Sequence, residues 1–166
     1  MSVARWGRPL AVASLVLAAL ALVALAGMGF ATLLRGPVPG AILRPDDPRL
    51  LATGERVYAA HCAACHGERL QGQPNWRERG PDGLLPAPPH DASGHTWHHP
   101  DAVLVEITKH GVAAAARMKD YRSAMPAYEG ILSDEEIVAV LSWIKAQWPA
   151  DVRRLQDEVN ERHAKR

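Results

Sequence analysis

The stretch that decides the reading is Leu51–Gly67, LATGERVYAAHCAACHG, and within it Cys62-Ala63-Ala64-Cys65-His66. The lead-in is helical in pattern: Leu50, Gly54, Val57, Tyr58 and His61 recur at helical spacing on one side of a segment from Arg49 to Ala64. On a helical turn, residues three apart share a face, so the Cys62 and Cys65 thiols point the same way. His66 then follows directly on the second thiol.

Few chemistries use that triplet. CxxCH is the attachment pattern of c-type haem: two thiols reach the two vinyl groups of one porphyrin, and the histidine is aimed at the iron from the proximal side. A thioredoxin-like CxxC expects a βαβ context, whereas the flanks here are helical. A structural zinc site would need Cys62, Cys65 and two of the eight histidines, and a plain disulfide is compatible with an exported chain. Covalent haem is favoured over these three because motif, helical context and an export segment agree.

That export segment runs from Pro9 to Leu34, 26 residues without a charged side chain. As a helix rising ~1.5 Å per residue it exceeds a ~30 Å hydrocarbon core. Arg5 and Arg8 precede it and only Arg35 directly follows, so the positive-inside bias leaves the amino terminus in the cytoplasm and exports the rest. The rival is a signal peptide cleaved after Ala24-Leu25-Ala26, ahead of Gly27. The expectation is residues 1–35 as a retained membrane anchor and 36–48 as a Pro/Gly linker reaching at most ~45 Å. A folded domain with the CxxCH turn then occupies 49–149 and a highly charged tail, frayed or a surface helix, occupies 150–166.

Composition agrees with an ordinary globular chain. The 166 residues are 48% hydrophobic and 22% charged, with a formal net of +1. Setting aside Arg5, Arg8 and Arg35 leaves 16 basic against 18 acidic side chains, a net of −2, so nucleic acid is not an expected partner. No alternating strand pattern stands out, and the fold class expected is all-α. Pro100 and Gly111 bracket a helix over Asp101–His110, and Ala113–Lys119 reads as a short helix. Ser133-Asp134-Glu135-Glu136 is a capping box that opens a helix to about Trp148, with an apolar stripe of Ile137, Val140, Leu141 and Ile144.

The region from about Arg49 to Trp148 resembles the single-haem cytochromes c of the class I fold, in a membrane-anchored bacterial subgroup. The resemblance rests on the Gly-x-x-x-Tyr lead-in of Leu51–Gly67, on Met125-Pro126-Ala127-Tyr128, and on LSDEEIVAVLSWIKAQWP from Leu132 to Pro149. It implies one covalent haem c held by Cys62 and Cys65. It also implies His66 and Met125 as axial ligands, and a proline carbonyl after the haem motif, here Pro88, on the other nitrogen of His66. Met118 is the competing methionine, in an Ala-rich stretch better suited to packing. Gly54 and Tyr58 are expected to meet Trp143 where the two terminal helices cross.

His90, His95, His98 and His99, interleaved with Trp97, admit two readings. One is a second metal, copper by ligand type. The other, favoured, is a loop packed over a haem edge. Trp76, Arg77 and Arg79 are candidate partners for haem propionates. The expected function is single-electron transfer between a donor and an acceptor protein, on the outer, periplasmic side of a bacterial cytoplasmic membrane, with no catalytic residues of the chain's own. The alternatives are a haem-containing subunit or sensor with an open sixth position, and a copper-handling cytochrome.

Overall fold

Asp47 begins the structured helices. Its side chain accepts from the backbone N–H of Arg49 and Leu50, and Pro48 occupies the first helical position, where a missing N–H does no harm. The computed structural model describes residues 40–166. In chain order the helices are α1 (Pro48–His61), α2 (Ala63–His66), α3 (Asp101–His110), α4 (Val112–Ala115), α5 (Asp134–Ala146) and α6 (Ala150–Ala164), with a 3₁₀ turn at Thr96–His98. Among the described residues there is no β-strand, only an isolated bridge between Glu129 and Leu132.

The core forms where α1 crosses α5. Leu50, Val57 and Tyr58 from α1 bury against Ile137, Val140, Leu141 and Ile144 from α5. Gly54 sits at the point of closest approach: a Cβ there would lie 2.1 Å from the Ala139 carbonyl oxygen and 2.7 Å from Trp143 Cβ. Only a hydrogen lets the two backbones come so near. One turn on, Tyr58 packs on Trp143 with ring centroids 4.8 Å apart. The crossing expected of Gly54, Tyr58 and Trp143 is therefore seen. The capping box is also present: Ser133 Oγ accepts from Glu136 N–H while the Glu136 carboxylate accepts from Ser133 N–H.

Three expectations are corrected. The charged segment read as frayed or a surface helix is indeed helical, as α6, but it is not confined to the surface. It buries Val152, Gln156 and Asn160, spaced four residues apart on one face. Part of the stretch read as a free linker is likewise fastened. The backbone N–H groups of Ile42 and Leu43 donate to Asp101 Oδ2 at 2.8 and 2.9 Å, Arg44 N–H donates to Ser142 Oγ at 2.9 Å, and Leu43 is buried. The reach of ~45 Å estimated for thirteen linker residues is therefore not available to the part from Ile42 to Pro48. The short helix expected over Ala113–Lys119 stops at Ala115, and Arg117 takes a positive φ of 53°.

One polar network joins these late additions. Asp101, with no exposed surface, accepts from Ile42, Leu43 and Gln156, and its own N–H donates to Asn160 Oδ1 at 2.7 Å. Buried Lys145 donates to Gln156 Oε1 and to Asp157 Oδ1. Every buried polar side-chain atom among the described residues has a hydrogen-bond partner, as a buried network requires. The expected anchor, with Pro9–Leu34, lies outside the described residues. Among the described residues no helix is long and apolar enough to cross a membrane.

Candidate functional site

The chain leaves α1 at Cys62, turns once through α2 and ends that turn at Gly67, whose φ of 81° is a conformation that side chains disfavour. Two tyrosines hold the ends of this turn. Tyr58 donates its hydroxyl to the Gly67 carbonyl, and Tyr128, from the segment after Met125, donates to the His61 carbonyl, both at 2.7 Å. Burial raises both phenol pKa values, so each hydroxyl stays protonated and able to donate. Tyr58 was legible in the sequence only as a packing residue at the helix crossing. The role of Tyr128 needed a contact across 67 residues.

Cys62 and Cys65 are both free thiols, Cys62 half-buried and Cys65 exposed. Burial pushes the Cys62 thiol up to about 11, with Cys65 adding to the shift.

His66 is buried, and its Nδ1 lies 2.8 Å from the Pro88 carbonyl oxygen. A carbonyl can only accept, so Nδ1 carries the hydrogen and Nε2 keeps a free lone pair. Burial lowers the His66 pKa, against an opposing contribution from the Pro88 bond, so the ring is neutral near pH 7. A neutral imidazole with one nitrogen tied to a carbonyl is the form that ligates a metal.

Met125 is partly buried against the core, and its N–H donates to Ser123 Oγ at 3.1 Å. Met118 is 42% exposed. Cys62, Ala63, Trp97, Val105, Met125, Val138 and Trp143 pack against the core and are only partly buried. Free thiols, an imidazole with an unprotonated nitrogen and a soft thioether are donor types that fit a haem c.

The histidine-rich loop is dispersed. His90 stacks on His66, His95 stacks on Trp76, and His98 stacks on Trp97, while His99 meets the edge of His95. Among the described residues no group of three or more His, Cys, Asp or Glu side chains is placed to hold a metal ion. Arg77 lies 3.9 Å over the Trp76 ring, and Arg79 donates to the Gly83 carbonyl at 2.7 Å, so both guanidinium groups have partners within their own loop. Trp148 ties that loop to the core by donating Nε1–H to the His90 carbonyl at 2.7 Å. A tryptophan at a helix end is all that signals this bond in the sequence.

The family model described as cytochrome c oxidase, cbb3-type, subunit III matches residues 49–144, more than half of the chain. No curated protein and no solved structure matches it. The matched region spans α1 through most of α5 and contains the CxxCH turn, Pro88 and Met125; Ile42–Arg44 and α6 fall outside it. The mostly helical architecture, the CxxCH turn and the family match together make this chain a c-type cytochrome, a member of the cbb3-type subunit III family.

Proposed function

We propose that the protein is a membrane-tethered, single-haem electron carrier in which Cys62 and Cys65 hold the haem and His66 and Met125 bind its iron. The observation that carries this reading is the His66 ring, neutral and tied through Nδ1 to Pro88, on the same turn as two free thiols. The haem supplies reversible one-electron chemistry at iron. The chain's own residues orient and enclose: Pro88 sets the tautomer of His66, Tyr58 and Tyr128 brace the turn, and Trp148 pins the loop that carries Pro88. His/Met ligation raises the potential and fills both axial positions, which suits electron transfer over ligand chemistry. With two cysteines in the chain, only one CxxCH attachment is available.

The tether reading rests on the charge-free run Pro9–Leu34 and on Arg5 and Arg8 before it, which favour retention with the haem domain on the outer face of the cytoplasmic membrane. The name of the family favours a membrane oxidase as the assembly in which the electron is passed on. Protein purified in mild detergent tests this by what co-purifies. Acid acetone tests the attachment: the haem should stay with the protein, and free extraction would refute covalent linkage. Met125→Ala should abolish the long-wavelength methionine-to-iron charge-transfer band and lower the potential. Loss of the band in Met118→Ala instead would reassign the ligand.

A further inference from the structure

Of the four loop histidines, His90 alone reaches the candidate iron ligand. Its ring lies against one face of His66, with centroids 3.8 Å apart and planes 20° from parallel. We propose that His90 is a positioning residue for His66, fixing the plane of the axial imidazole by stacking on it. The inference rests on the haem reading above and deepens it.

The support lies in how completely His90 is held. Its N–H donates to the Leu70 carbonyl at 2.8 Å, and its carbonyl accepts from Trp148 Nε1 at 2.7 Å. Its Nδ1 lies 2.8 Å from Oγ1 of Thr96, itself buried at 6% exposure. Leu70 adopts a positive φ of 65°, a conformation costly for a branched side chain, so the segment that receives His90 is held there by its surroundings. The Thr96 bond gives the buried ring nitrogen its partner and at the same time fixes the direction in which the ring plane lies.

His66 has one polar restraint, the bond from Nδ1 to Pro88, which acts at a single edge of the ring. A hydrogen bond at one edge leaves tilt about that edge free, and a flat ring against the face removes it. Partners beyond the ligands set ligand orientation, and orientation of an axial imidazole sets the orbital splitting of low-spin ferric haem. His95, His98 and His99 do not share this place, because their rings pack on Trp76, on Trp97 and on one another.

The test uses the full-length, haem-loaded protein with two replacements. His90→Phe keeps a flat ring; His90→Leu keeps an apolar filler without one. The readouts are the principal g values of the ferric form, the spread of haem methyl shifts, and the melting temperature. The Phe variant is expected to retain the wild-type g values and methyl pattern, and the Leu variant to shift both. A Leu variant that matches the wild type spectroscopically, whatever its melting temperature, overturns the proposal. So does a Phe variant displaced as far as the Leu variant. If the Leu variant does not accumulate with haem, Thr96→Val removes the Nδ1 anchor instead, and unchanged g values there overturn the proposal. Wild-type protein without covalent haem or without His66 ligation would refute the functional reading itself. An intact His/Met spectrum with an unmoved Leu variant refutes only the role of His90.

Discussion

Replacing Asp101 by Asn should destabilise the domain almost as much as removing the side chain, although the two residues have nearly the same shape. The reason is the direction of the hydrogen bonds. Lys145 Nζ has only hydrogens to give, so Gln156 must present Oε1 to it and Nε2 to Asp101. At the other end, Ile42 and Leu43 present two backbone N–H groups. Residue 101 therefore faces donors on both sides, and only a carboxylate accepts from both. An Asn amide directed with its oxygen toward Ile42 and Leu43 sets its NH₂ against Gln156 Nε2, and the flipped amide is worse.

One buried donor left without an acceptor costs about 1–3 kcal/mol, and losing the charge on the acceptor weakens the remaining bonds by roughly a further 1 kcal/mol. Because Asp101 has no exposed surface, water does not relieve the conflict. The expected loss is ~2–4 kcal/mol, a fall in melting temperature of roughly 10 °C for a domain of this size. Denaturant unfolding of the haem-loaded protein measures it, and amide exchange at Ile42 and Leu43 should quicken in parallel. Turning the Gln156 amide over gives no relief, because its Nε2 also donates to the His99 carbonyl and its Oε1 also accepts from Asn160 Nδ2. A loss for Asp101→Asn below about 1 kcal/mol would refute the argument from donor direction.

Gly54→Ala should cost ~3 kcal/mol or more and deplete haem-loaded protein, since its Cβ would meet the backbone carbonyl of Ala139; thermal unfolding measures the loss. Tyr128→Phe should cost ~1 kcal/mol by leaving the His61 carbonyl without its donor, and a cost indistinguishable from zero in denaturant unfolding would show that water replaces the hydroxyl. The Glu136 carboxyl pKa is lowered in the fold, first by the Ser133 N–H bond and then by the Ser133 hydroxyl. Its contribution to stability is therefore full above the ordinary carboxylate pKa and is lost as pH falls through the depressed folded value. Glu136→Gln keeps a capping oxygen but does not titrate, so wild type and variant should converge at low pH in stability measured across pH 2–7, and a pH-independent gap would contradict the assignment.

Much of the architecture follows from local rules. The capping box at Ser133, the helix bounded by Pro100 and Gly111, and the CxxCH turn depend on neighbours within a few residues, so spacing and residue type carry them. The helix crossing was legible too, because apolar periodicity on both helices and a glycine at the meeting point describe one buried surface.

The sequence alone could not disclose the buried face of α6 or the fastening of Ile42–Arg44. Two of the three residues that α6 buries are Gln156 and Asn160, while Leu155 is 44% exposed, so apolar periodicity indicates no buried face. Those amides are inside because Asp101 and Lys145, 55 and 11 residues away from Gln156, supply their partners. A buried polar residue is tolerated only when its partners are in place, and no residue carries its partner's position in its own identity. The stack of His90 on His66 is of the same kind. The composition of the loop shows a run of histidines, and only the packed chain decides which one lies against the His66 ring.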